Sequence, residues 1–203
     1  MTAEGTVFVI NDNPGLRRSL QSLLEAAKLP VETYASAQEF LERYDPQRPG
    51  CMVLDVRLRG ESGLDLQEEL RRRQVMLPII VMTGYGDVPT SVRAFKGGAI
   101  DFLQKPVAPK KLLERIREAL EIDQQARAVA AQRAVVVDAI ASLTPRERQV
   151  MDLLALGNSS KKIAATLKIS ARTAEGHRRV VLRKMGVSSA AQLARAVARL
   201  GST

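Results

Sequence analysis

The sequence predicts two domains: an α/β domain with a five-stranded, doubly wound parallel sheet, followed by a small all-α domain. Three observations carry this. From residue 6 to about 122, short β-branched or apolar runs alternate with segments of helical period. Residues 143–203 show helical period alone. The net charge of +9 also divides there. Residues 1–122 hold 17 Lys/Arg and 17 Asp/Glu, whereas residues 123–203 hold 14 against 5.

The strand candidates are 6–11, 31–35, 51–55, 78–82 and 100–103. Between them, 15–28 places Leu16, Leu20, Leu23 and Leu24 on one helical face, and 36–44, 63–73 and 88–97 are helix candidates. Pro109 opens a further helix, with Leu112, Leu113, Ile116 and Leu120 at helical spacing. Residues 123–142 contain no Gly or Pro and are rich in Ala, Gln and Arg. They predict a helical linker that continues this helix, or that pairs with its copy in a second chain.

In the last domain, Thr144-Pro145-Arg146-Glu147 combines an N-cap, a proline in the first turn and a glutamate at the third position. Gly157 reads as the stop of that helix. Ser159 or Ser160 opens a short helix to Leu167, Ser170 a longer one to Met185, and Ser188 or Ser189 caps the last. Two helices joined by Lys168-Ile169 suit a helix-turn-helix, whose second helix enters a major groove. The proposed division is therefore 1–122, a linker 123–142, and 143–203.

Composition excludes several classes. A single cysteine allows no intramolecular disulfide, and no segment approaches the ~18 apolar residues of a membrane span. No signal peptide is recognisable at the start, so the chain is expected to be cytoplasmic. Aromatics make up 3% of the chain and there is no Trp, so the cores must be aliphatic. A basic second domain favours a polyanion as partner, or is simply a solvated basic surface.

Polar residues stand at the tips of successive strands: Asn11-Asp12, Asp55, Thr83 and Lys105. In doubly wound sheets the functional site lies at the carboxyl ends of the strands. Clustered carboxylates with an amine and a hydroxyl read either as a structural ion-pair network or as a site for a hard cation and an oxyanion. Mg²⁺ takes one or two carboxylates with phosphate oxygens and water, and a carboxylate can attack phosphorus to give an acyl phosphate.

These residues resemble the receiver domain of bacterial two-component response regulators: Asn11-Asp12, Leu54-Asp55, Met82-Thr83-Gly84 and Lys105-Pro106. Leu143-Thr144-Pro145-Arg146-Glu147-Arg148, Ser170 through His177, and Lys184-Met185-Gly186-Val187 are similar to a LuxR-type helix-turn-helix. The combination is that of the FixJ/NarL group, and it covers nearly the whole chain. The resemblance implies a flavodoxin-like receiver and a DNA-binding transcription factor rather than an enzyme. It further implies that a histidine kinase phosphorylates Asp55, with Mg²⁺ held by Asp12, Asp55 and the carbonyl of Arg57. Thr83 and Lys105 would meet the phosphoryl oxygens, and Thr83 and Phe102 would switch. Phosphorylation would drive homodimerisation through the fourth helix, fifth sheet strand and fifth helix, and so promoter binding. Phe102 is also readable as an ordinary core aromatic. A phosphatase with an aspartyl nucleophile would want a second acid two residues on, where Arg57 stands.

Two residues depart from the family pattern. Asn11 stands where the family usually has Asp. Its amide oxygen is expected to hold at most a metal-bound water, without charge. Unit charges ~4 Å apart at an effective dielectric of ~20 interact by about 4 kcal/mol. Mg²⁺ affinity is therefore expected to fall roughly ten- to a hundredfold, on the order of 1–3 kcal/mol. A weakly phosphorylated or constitutive receiver is the alternative this raises. Gly176 and Ala174 stand where the family generally has Val. In the basic domain, most of Lys161, Lys162, Lys168, Arg172, Arg178, Arg179, Arg183 and Lys184 are expected to meet phosphates, while Glu175, Gly176 and Arg179 face base edges. His177, the only histidine, is expected to pack or to meet a phosphate.

Overall fold

A computed structural model describes residues 5–84 and 88–201. The chain divides into two compact units, one ending at Arg127 and the other beginning at Ala128.

In the first unit β1 (Thr6–Ile10), α1 (Pro14–Ala26), β2 (Val31–Tyr34), α2 (Ala37–Arg43) and β3 (Gly50–Asp55) follow one another. A two-stranded ribbon of β4 (Arg57–Leu58) and β5 (Glu61–Ser62) comes next, then α3 (Gly63–Arg72), β6 (Ile79–Thr83), α4 (Val88–Lys96), β7 (Asp101–Gln104) and α5 (Pro109–Ala141). The main sheet is parallel, in the order β2-β1-β3-β6-β7. Its order reverses between β1 and β3, which opens a crevice at their carboxyl ends.

Both sheet faces are covered, so the strands read as nearly continuous apolar runs. Phe8, Ile10, Met52, Leu54 and Val81 pack against Phe40 of α2, Leu64 and Leu70 of α3 and Ala94 of α4. Val7, Val9, Cys51, Val53, Ile80 and Leu103 pack on the other face against Leu20 and Leu24 of α1 and Leu112, Ile116 and Ala119 of α5. Burial pushes the Cys51 thiol up to about 12, which makes it an inert packing group.

The helix expected to become a linker at residue 123 stays part of the first unit for another turn. Asp123 is 2% exposed, and its carboxylate accepts the Gly50 N–H at 2.9 Å. Arg127 donates to that carboxylate at 2.8 Å and to the carbonyls of Pro46, Gln47 and Arg48. The rest of α5 belongs to the second unit, where Ile140 enters the core.

That unit continues with α6 (Pro145–Ala155), α7 (Ser160–Leu167), α8 (Ala171–Lys184) and α9 (Ala190–Gly201). Val150, Leu154, Ile163, Ala174, Val181 and Leu193 form its core. Thr144 and Glu147 make the reciprocal capping box that the sequence predicts. Ser159 and Ser170 cap α7 and α8, and Lys168 makes the turn between them in the left-handed region, at φ 54°. Among the described residues, no helix is long and apolar enough to cross a membrane.

Candidate functional site

Parallel register brings the tips of β1, β3, β6 and β7 together, because Ile10 pairs with Leu54, Asp55 with Met82, and Thr83 with Gln104. Asp55, 8% exposed, lies at the centre. Its Oδ2 accepts from Lys105 Nζ at 2.6 Å and from Asn11 Nδ2, and its Oδ1 accepts the Arg57 N–H at 3.2 Å. Thr83 is buried at the end of β6, and its carbonyl accepts the Lys105 N–H at 2.7 Å. Gly63 closes the floor, since a Cβ there would collide with the Asp55 carbonyl. Phe102 is half-buried and packs on the sheet face that carries α4.

Asn11 does not offer its amide oxygen to the pocket. That oxygen accepts the Asn13 N–H at 2.8 Å, so the amide nitrogen faces Asp55. The role as holder of a metal-bound water would require the amide to flip and to give up both bonds.

The donor set suits a hard divalent cation. Asp55 Oδ1 keeps a lone pair beyond its single N–H contact, and the half-exposed Asp12 carboxylate has no hydrogen bond or ion pair among the described residues. Together with the Arg57 carbonyl, two residues after Asp55, these would offer two carboxylates and a carbonyl. Such a set leaves room for water and a phosphate oxygen.

In the second unit, Lys161, Lys162, Arg172, Arg179 and Arg183 are exposed on α7 and α8. Thr173, Gly176, His177, Arg179, Val180 and Arg183 line an open hollow on α8, and a Cβ on Gly176 would meet nothing within 4 Å. Lys168 is exposed in the turn. Three residues expected to meet DNA have partners inside the unit. Lys184 Nζ donates to Glu147 Oε2 at 2.7 Å and to the Ser142 carbonyl at 3.1 Å, joining α8 to the start of α6. Glu175 accepts from the Ser160 hydroxyl at 2.6 Å, and Arg178 pairs with Glu175 at 3.7 Å. Packing brings these partners within reach, which charge and helix position do not reveal. Ala174 is fully buried, so its small size belongs to the core.

The site residues that sequence reasoning missed are Asn13 and Arg17. Asn13 orients the Asn11 amide, and Arg17 donates to the Asn11 carbonyl at 2.6 Å. A signal existed for Asn13, an Asx residue directly before a helix-opening proline.

Comparison with known proteins agrees with both units. Residues 7–117 match the response regulator receiver domain, and residues 141–197 match the bacterial regulatory proteins of the luxR family. The chain is 42% identical to Nodulation protein W of Bradyrhizobium diazoefficiens over 98% of its own length and 88% of that protein's. It is also 42% identical to the transcriptional regulatory protein FixJ of the same organism, over 99% and 98%. The solved structure of the response regulator StyR superposes with a TM-score of 0.90 at 39% identity, covering 97% of this chain and all of that one. Of these relatives, FixJ is a transcriptional regulatory protein and StyR a response regulator. With both units matched in order along nearly its whole length, the chain belongs to the two-component response regulators, as a transcriptional regulator with a receiver domain and a LuxR-type DNA-binding domain.

Proposed function

We propose that Asp55 accepts a phosphoryl group from a bacterial sensor histidine kinase in the cytoplasm, and that this controls binding of the chain to promoter DNA. The observation that carries the reading is the Asp55 carboxylate held at 2.6 Å from Lys105, at the crevice where the sheet order reverses. An Asp55 carboxylate oxygen forms the new bond to phosphorus, the phosphorus–nitrogen bond to the donor imidazole breaks, and the electron pair stays with that nitrogen, which is protonated. Lys105 stands where it can pair with a phosphoryl oxygen, and the Thr83 hydroxyl can donate to another. Asp12, Asp55 and the Arg57 carbonyl would hold Mg²⁺, which supplies charge neutralisation at the transferring group.

The active species is a homodimer. Val88, Val92 and Phe95 of α4 are 75%, 44% and 53% exposed, and Ile100 continues this apolar surface towards β7. On DNA, Lys161, Lys162, Lys168, Arg172 and Arg183 contact phosphates, and Arg179 reads a base beside the Gly176 hollow.

Phosphate-affinity electrophoresis with acetyl phosphate and Mg²⁺ tests the acceptor. A retarded band is expected, and Asp55→Ala should abolish it. The Asn11–Asp55 hydrogen bond favours a second reading, a receiver that is phosphorylated weakly or acts constitutively. Absence of any retarded band, even from Asn11→Asp, would rule out the first reading.

A further inference from the structure

Asn11 has four hydrogen-bonding groups, and each has a partner. Its N–H donates to the Tyr34 carbonyl at 3.1 Å, and its carbonyl accepts from Arg17 at 2.6 Å. Its side-chain oxygen accepts from Asn13, and its side-chain nitrogen donates to Asp55 Oδ2. The residue is 3% exposed. The orientation of a carboxamide follows from its neighbours: with a main-chain N–H on one side and a carboxylate on the other, only one arrangement satisfies both.

Asp55 Oδ2 therefore lies between a cation and a neutral donor. A carboxylate in place of the Asn11 amide would set two acids within hydrogen-bond distance of each other. The Asn11 N–H donor would be lost, and an acceptor would face an acceptor there. We propose that Asn11 does in the resting pocket what a bridging divalent cation would otherwise do. It holds the Asp55 carboxylate in place, so the first unit stays assembled and nearly as stable without metal as with it. The regulatory consequence, a resting switch whose geometry ignores the Mg²⁺ level, rests on Asp55 being the phosphoacceptor. The stability claim does not.

The test is thermal unfolding of the full-length chain without any phosphodonor, in EDTA and in millimolar Mg²⁺. All three tyrosines lie within residues 1–127, so tyrosine fluorescence follows the first unit alone. The wild-type midpoint is expected to be the same in both buffers to within about 2 °C. Asn11→Asp should melt roughly 4–8 °C lower in EDTA and recover most of that loss in Mg²⁺. The proposal fails if Asn11→Asp melts with the wild type in EDTA, or if Mg²⁺ raises the wild type as much as the variant. Should Asn11→Asp not fold in either buffer, the wild type alone decides: a flat Mg²⁺ titration supports the proposal, and a rise of several degrees overturns it. Failure here would leave the Asp55-dependent band shift untouched, so the two readings fail separately.

Discussion

Within α8, neighbouring residues of similar charge have different work, and their substitutions should separate. Arg179 is exposed beside the Gly176 hollow, whereas Lys184 is tied to Glu147 and Ser142. Arg179→Ala is expected to weaken promoter binding by about 1–3 kcal/mol and relax the preference at the base it meets, with phosphorylation unchanged, in a binding assay across promoter variants. Lys184→Ala should leave that preference alone and lower the unfolding midpoint of the second unit. Gly176 is a third case. Glycine in a helix interior is about 1 kcal/mol worse than alanine, and a Cβ there has open space. Gly176→Ala should therefore stabilise the unit by up to about 1 kcal/mol, read as a higher urea midpoint. The positions of Asp55, Thr83 and Lys105 were legible, because each ends a strand-like run. The direction of the Asn11 amide and the inward turn of Lys184 were not, because both depend on partners distant in sequence.

At the scale of elements, α5 and α6 show how ends are secured. Asp123 and Arg127 share one face of α5 at i,i+4 spacing and fasten it to residues 46–50, the segment that leads into β3. Arg127→Ala would leave the buried Asp123 charge without its ionic partner. The expected cost is about 2–3 kcal/mol, below that of a wholly buried pair because Arg127 is a third exposed. Denaturant unfolding followed by tyrosine fluorescence measures it. At the start of α6, the hydrogen bond from Lys184, helped by the Thr144 N–H, holds the Glu147 carboxyl below its usual value of 4.5. A carboxyl depressed on folding adds stability above its unfolded value and loses it as pH falls through the folded one. The stability difference between wild type and Lys184→Met, both full length, should therefore hold at neutral pH and narrow below about 4.5. A constant difference down to strongly acid pH would rule out the ion pair as its source. The i,i+4 spacing of Asp123 and Arg127 was visible in the sequence. The carbonyls that Arg127 collects were not, since a loop's path is set by what it packs against.

For the molecule as a whole, the +9 charge lies in the DNA-binding half, and the five cations proposed to meet phosphates, Lys161, Lys162, Lys168, Arg172 and Arg183, are all exposed. Two copies on one DNA site would bring about ten phosphate contacts, so raising salt from about 50 to 200 mM should cost on the order of a thousandfold in affinity or more. A nearly flat salt dependence would show that this face does not carry the phosphates. The order of the main-sheet strands and helices, the two-unit architecture and the strand-tip pocket were determined by the sequence alone, whereas the β4–β5 ribbon was not. Apolar period, caps and turn residues act over a few positions, and parallel βα units leave their carboxyl ends on one edge. What only the tertiary structure decided is which hydrogen-bonding groups meet: the Asn11 nitrogen rather than its oxygen at Asp55, Lys184 at Glu147 and Ser142, and Arg127 as the end of the first unit. Those outcomes depend on side chains many residues apart coming within about 3 Å of each other, a distance that packing sets and local sequence does not encode.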